Sequence, residues 1–311
     1  MSSIFLTGAS GCVGHYLVDE LAAADYQLYL LVRNPAKLRF DLAQFKNITI
    51  IQGDMDSIAE HAETLSRVDY CIHAATAWGA AGTERINVER VHQMFNSLHP
   101  DRLCRVIYFS TASILGPDNQ ALPEVEIHGT DYIKSKYRCY STLDHCWCHD
   151  RIVTVFPTLI FGGDAKHPFS NLSLSLPQLR RFSWLLGRFG IDLPFHMIHA
   201  QDIAKIVRLL LETPGAERNY VLGNPAMTFS EFTRRTAWYF GRRVRWQIKL
   251  SLNFLYHLAV LLGVKMSPWD RFSVEHPNFC FKTVNCATFG LPSNYGTLEE
   301  ILADWKFISR A

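Results

Sequence analysis

Thr7-Gly8-Ala9-Ser10-Gly11-Cys12-Val13-Gly14 decides how this chain is to be read. The octet follows the apolar run Ile4-Phe5-Leu6 and opens the apolar stretch Val13–Ala23, so it joins a strand to a helix. Glycines at the first, fourth and seventh positions of Gly8–Gly14 meet three separate demands. One gives the backbone its turn, one lets a pyrophosphate come close, and one lets helix and strand pack tightly. The free N–H groups of a helix start then face that anion with the positive end of the helix dipole. Gly8, Ser10, Gly11, Cys12, Val13 and Gly14 are thus expected to hold the phosphates of a dinucleotide, because the motif lies between strand and helix as such a motif must.

Outward from this turn the chain alternates. Ile4–Thr7, Gln27–Val32, Ile48–Gln52, Asp69–His73, Arg105–Ser110 and Ile152–Phe156 read as strands. Val13–Ala23, Ala36–Phe45, Ile58–Ser66, Glu84–Leu98 and Tyr132–Cys148 read as helices. This rhythm predicts an α/β fold, a doubly wound parallel sheet with helices on both faces. After Phe156 the pattern loosens. Residues 162–194 read as loop-rich, Gln201–Glu212 and Asn219–Leu222 as one more helix and strand, and helices dominate from Pro225 to a last one over Thr297–Trp305. The expected organisation is a dinucleotide-binding domain over residues 1–160, with segments near 191–223 returning to it. A smaller, mostly helical substrate cap occupies residues 161–311.

The carboxyl ends of the strands carry the remaining cofactor candidates, since ligands of such sheets bind there. Strand two ends in Arg33, with Lys37 a turn later, where an acid would hold the ribose hydroxyl of NAD. Cations suit the 2′-phosphate of NADP, so NADP is expected, with NAD as the alternative. Asp54 and Met55 follow strand three, where the carboxylate can accept from an adenine amino group. Ala74, Ala75 and Thr76 follow strand four, where small side chains let the backbone run beside a cofactor.

Tyr132-Ile133-Lys134-Ser135-Lys136 opens a helix, and residues four apart share one face. An ammonium from Lys136 beside the Tyr132 phenol would lower its pKa from ~10 towards neutrality and make it a proton donor and acceptor. Thr111, just past strand five, can orient a substrate oxygen, with Ser110 and Ser113 as alternatives. Thr111, Tyr132 and Lys136 are the catalytic candidates.

Taken with Asp54, Ala74-Ala75, Asn87-Val88, Ser110–Gly116, Phe156-Pro157-Thr158, Ile198–Ala204 and Phe289–Pro292, these motifs make nearly the whole chain resemble the extended short-chain dehydrogenase/reductases, also called the NAD-dependent epimerase/dehydratase family. The resemblance implies a Rossmann-type sheet and NAD(P). It implies Tyr132 and Lys136 at the nicotinamide ribose as well as in proton transfer, and nicotinamide contacts near Pro157 and Leu159. The chain departs from the family at Phe156, where Arg commonly precedes the proline, and at Leu115, where Tyr commonly precedes the glycine. Both departures lie towards the substrate and weaken the case for a nucleotide sugar.

Composition bounds the partners. Hydrophobic residues at 48% and charged residues at 19% supply a core, and a net charge of +2 argues against a nucleic-acid binder. No signal-peptide pattern opens the sequence, so eight reduced cysteines in a cytoplasmic setting are expected. The apolar run Leu250–Val264 is shorter than the ~20 residues of a membrane span. It reads as a buried helix, with a peripheral membrane contact as the alternative. Arg242-Arg243-Val244-Arg245 reads as a solvated turn, or as a contact for an anion or a lipid surface. His145-Cys146-Trp147-Cys148-His149 cannot surround a zinc from one helical turn, so no metal is expected. His196 and His199 read as packing or pocket-edge residues rather than catalysts.

The activity expected is hydride transfer to or from a carbonyl or alcohol of a small molecule. Phe182, Trp184, Leu185, Leu186, Phe254, Tyr256 and Leu258 suggest a hydrophobic substrate under an apolar cap. The alternatives are a nucleotide-sugar epimerase or dehydratase that recycles its cofactor, and a non-catalytic dinucleotide-binding regulator. A monomer or a homodimer is expected.

Overall fold

A computed structural model describes the chain except for residues 42–44, 80, 81, 214, 216, 278, 279, 305 and 307–311. Seven strands form the central sheet: β1 (Ser3–Thr7), β2 (Gln27–Val32), β3 (Ile48–Gln52), β4 (Tyr70–His73), β5 (Arg105–Phe109), β6 (Ile152–Pro157) and β7 (Asn219–Leu222). Their order is β7-β6-β5-β4-β1-β2-β3 and every pairing is parallel. The order reverses between β1 and β4, and it is there that such sheets open a crevice for a ligand. This is a Rossmann-type doubly wound sheet.

The strands are near-continuous runs of Val, Ile, Leu and aromatics because both faces are covered. On one face α1 (Cys12–Ala23) and α5 (Ala200–Glu212) pack with Leu6, Leu30, Ile107 and Val155. On the other, α2 (Arg90–Asn96) packs with Phe5, Val106 and Tyr108. The helix α3 (Asp131–Thr142) is capped by Thr130, whose hydroxyl accepts from Ile133 N.

Several expectations are corrected. Instead of a helix over Ala36–Phe45 there is one 3₁₀ turn, Pro35–Lys37, capped by Asn34; part of that stretch lies outside the described residues. The proline starts the turn, and the chain leaves it extended at Leu38. The helix read over Tyr132–Cys148 stops at Thr142 and continues as two short 3₁₀ turns. Residues 162–194 contain α4 (Leu176–Leu186), with Pro177 in its first turn, where proline is tolerated.

After β7 the chain adds α6 (Phe229–Tyr239), α7 (Leu252–Leu261) and α8 (Pro268–Glu275). The final helix is shorter than expected, Leu298–Leu302, and Trp305 lies outside the described residues. No residue of α7 is buried, so the expectation of a buried helix over Leu250–Val264 fails. No helix among the described residues is long and apolar enough to cross a membrane.

Candidate active site

The glycine turn works as its spacing requires. Gly8 has φ +84°, and a Cβ there would lie 2.6 Å from the backbone of Ala74 and Ala75. A Cβ on Gly14 would lie 2.1 Å from the Gly8 carbonyl oxygen. Both positions exclude a side chain for internal reasons. Gly11 differs: a Cβ there would meet nothing closer than the Gly8 oxygen at 3.4 Å. The space over Gly11 is therefore left open to the cleft. Gly11 is also the N-cap of α1, with no side-chain cap and no acid in the first turn. These features fit the diphosphate of a dinucleotide: a bare backbone and an uncapped helix start.

Above this turn lies a cleft of about 970 Å³. Every residue expected to hold the cofactor, and each of the three catalytic candidates, lines it. Gly8, Ser10, Gly11, Cys12, Val13 and Gly14 form one wall, with Arg33, Lys37, Asp54 and Met55 at one end. Ala74, Ala75, Thr76, Thr111, Tyr132, Lys136, Pro157 and Leu159 complete it. Arg33 and Lys37 are exposed and pair with no carboxylate among the described residues. Asp54 is partly committed to the fold: its Oδ1 accepts from Asp56 N at 2.9 Å and Ser57 N at 3.3 Å, capping the turn that follows. Burial pushes the Cys12 thiol up to about 12, so it is no nucleophile.

Lys136 is anchored inside the protein. Its Nζ donates to the Phe109 carbonyl oxygen at 2.8 Å and lies 5.1 Å over the Tyr108 ring. Burial lowers its pKa to about 8. Burial likewise raises the Tyr132 phenol to about 12, and the facing Thr111 hydroxyl draws it back down. Thr111 itself caps Ala112–Ile114, its Oγ1 accepting from Ser113 N. In this state the phenol holds its proton across the neutral range, so the proton is present for transfer to a substrate but is held more tightly than in a free tyrosine.

Sequence reading missed two features. Trp78, 66% exposed, stacks on Tyr132 with ring centroids 4.0 Å apart and planes at 22°. The buried Asn87 amide donates to Ser135 Oγ at 2.9 Å and to the Ala77 oxygen at 3.0 Å, and its oxygen accepts from Ala77 N. Asn87 thus ties the loop carrying Trp78 to α3 between Tyr132 and Lys136. The Asn87-Val88 pair was visible in sequence; its partners, 10 and 48 residues away, were not.

The apolar residues expected around the substrate are not there. Phe182, Trp184, Leu185, Leu186, Phe254, Tyr256 and Leu258 do not line the cleft. Its apolar lining includes Trp78, Ile86, Leu159, Ile160, Phe169 and Leu172. Phe156 and Leu115 are buried beside it rather than facing it. His196 is held by the Asn224 carbonyl and His199 by Asp304, both inside the protein. Cys146 Sγ sits 3.2 Å from His92 Nδ1, and no His, Cys, Asp or Glu group among the described residues is arranged to hold a metal.

A sequence model of the NAD dependent epimerase/dehydratase family matches residues 4–171, more than half of the chain. The chain belongs to this family. As a member it is an extended short-chain enzyme that depends on a nicotinamide dinucleotide. It is 21% identical over 270 residues to a dihydroflavonol 4-reductase of Hordeum vulgare, covering 74% of this chain and 73% of the relative. Among solved structures, gox2253 matches with a TM-score of 0.74 at 19% identity, over 99% of this chain and 97% of the other. WbmG of Bordetella bronchiseptica, solved with NAD and UDP, matches with a TM-score of 0.66 at 14% identity, over 99% and 94%. At these identities the structural likeness establishes the fold.

Proposed function

We propose that this member of the family is an NADP-dependent reductase of a hydrophobic carbonyl compound. One observation carries the reading: Thr111, Tyr132 and Lys136 line the same cleft as the glycine turn. Bound there, the nicotinamide supplies the hydride. Tyr132 donates its proton to the substrate oxygen as the carbonyl is reduced, and burial keeps that proton in place until then. Thr111 donates to the same oxygen and holds it at the phenol. Lys136, anchored on the Phe109 carbonyl, binds the nicotinamide ribose and supplies positive charge behind the phenol as it gives up its proton.

Arg33 and Lys37, exposed and without an acidic neighbour at the end of β2, support the extra phosphate of NADP. Trp78, Leu159, Phe169 and Leu172 support an apolar substrate, and the dihydroflavonol 4-reductase likeness supports reduction of a ketone. A nucleotide-sugar reaction is favoured by neighbours such as the dTDP-glucose 4,6-dehydratase of Bacillus anthracis, but such a substrate needs cations for its diphosphate. The cations among the described lining residues are Arg33, Lys37 and Lys136, and in this reading Arg33 and Lys37 serve the cofactor phosphate and Lys136 the nicotinamide ribose.

Replacing Tyr132 by Phe is the test. Turnover should fall by about 10²–10⁴-fold while NADPH affinity stays within about twofold, because proton transfer is lost and binding is not. A fully active Tyr132→Phe enzyme in a ketone-reduction assay removes the proposal.

A further inference from the structure

We propose that the segment around α7 docks the protein on an anionic lipid surface. From Phe232 to Trp269 the sequence has no Asp or Glu but five Arg and two Lys, in a chain whose net charge is +2. Within it, Leu250–Val264 carries no charged residue at all. That run folds as α7 and buries none of the helix residues. Leu261 is 82% exposed and Leu262 72%. Phe254, Leu258, Val260 and Val264 are exposed as well. A largely apolar helix, interrupted only by Asn253 and His257 and covered in part by α8, leaves an exposed apolar face that something is expected to cover.

The neighbouring surface supplies the charge. Ile248 and Lys249 pair with Phe189 and Gly190, which brings the strand before α7 against the end of α4. There Trp184, Arg188, Arg242, Arg243 and Val244 line a basin of about 470 Å³, with the Arg188 guanidinium 5.7 Å over the Trp184 ring. Trp246 and Ile248, exposed, lie between this basin and α7. Arg235 and Lys249 have carboxylate partners. Arg242, Arg243 and Arg245 form no ion pair among the described residues.

Apolar side chains beside tryptophans and unpaired arginines are the chemistry of a helix lying in the headgroup region of a bilayer. At ten residues α7 is far shorter than a membrane span, so it lies on the surface rather than crossing it. A second copy of this chain fits poorly, because a two-fold contact would set the same cationic segment against itself. A nucleic acid fits poorly, because it would meet an uncharged aliphatic helix where it needs cations and stacking rings. α7 packs on α8, whose Trp269 joins the apolar cluster around Leu115, Ile133 and Tyr132. Through Trp269, α8 therefore stands between α7 and the catalytic helix.

Sedimentation with vesicles tests this without reference to turnover. The protein should bind phosphatidylcholine vesicles containing 30% phosphatidylglycerol at least tenfold more tightly than pure phosphatidylcholine vesicles, and binding should weaken as salt is raised. Arg242→Glu/Arg243→Glu/Arg245→Glu and Leu261→Asp/Leu262→Asp should each weaken binding at least tenfold, with circular dichroism and melting temperature unchanged. Quenching of the native tryptophans by brominated lipid reports insertion independently of any variant. Failure to bind anionic vesicles at low salt overturns the proposal. So does vesicle binding that both variants retain, or a Leu261→Asp/Leu262→Asp change that shifts only oligomeric state or binding to a single-stranded RNA. None of these outcomes bears on whether Tyr132 is the proton donor.

Discussion

A phenol and an ammonium four residues apart do not by themselves make a low-pKa pair. In this cleft Lys136 turns to the Phe109 carbonyl, and burial sets both groups: Tyr132 up to about 12, Lys136 down to about 8. In the proposed NADP reading, the residues that decide the cofactor choice are at the other end. Arg33 is exposed at the end of β2 with Lys37 near it. Arg33→Glu should weaken NADPH binding by about 10–100-fold, the worth of a charge-assisted phosphate contact, and leave NADH nearly unaffected or slightly improved. Fluorescence titration of both dinucleotides reads this directly; equal losses would remove the NADP assignment. At this scale much was legible, because Gly, Arg, Tyr and Lys declare their chemistry by type and position. Trp78 was not. A lone tryptophan in a segment of alanines and glycines gives no sign that it will stack on a ring 54 positions later in the chain (Tyr132).

The turn between β1 and α1 separates two uses of glycine. Gly14 has no room for a side chain, with a Cβ 2.1 Å from Gly8 O, whereas Gly11 has room that its own chain does not fill. Gly14→Ala should open the turn, cost about 1–3 kcal/mol, and lower the melting temperature by several degrees. Gly11→Ala should leave the melting temperature in place yet weaken dinucleotide binding at least tenfold. Differential scanning fluorimetry with and without NADPH distinguishes the two, and a Gly11→Ala protein that binds normally would show that the pyrophosphate lies elsewhere. Strands were the best-read elements. Gln27–Val32, Ile48–Gln52 and Asn219–Leu222 have the bounds their β-branched and aromatic runs suggest. Helices fared worse where prolines intervened. Pro35 starts only a single turn, while Pro177 starts a full helix, and the difference lies in the packing each segment finds rather than in the residue.

Across the whole molecule, His167 joins parts that are far apart in sequence. Its Nε2 lies 2.8 Å from Asp19 of α1, its Nδ1 2.8 Å from Asp164, and its ring stacks on Tyr16 at 3.8 Å. Burial alone would lower its pKa, but hydrogen bonds to Asp164 and Asp19 outweigh that and raise it to about 9. A group raised above its unfolded value of about 6.5 stabilises the fold fully below that value and loses this contribution as pH climbs through the folded one. The melting temperature should therefore decline between about pH 6.5 and 9, and His167→Gln should flatten the decline. Parallel slopes for the two proteins would show that the clamp contributes nothing. The large-scale plan was legible in the alternation of strand and helix. The position of the cap's apolar residues was not, because a side chain that is apolar for a pocket and one that is apolar for an outer surface look alike in sequence.

The sheet order has a bearing on biosynthesis. All three of Thr111, Tyr132 and Lys136 precede β6, but β7, which covers the far edge of β6, comes only after α4 and α5. On the ribosome, then, β6 waits as an open edge through the synthesis of residues 158–218, a template for pairing with a neighbouring nascent chain. Truncations ending before Leu222 should consequently aggregate even though they contain the entire glycine turn and all three of those residues.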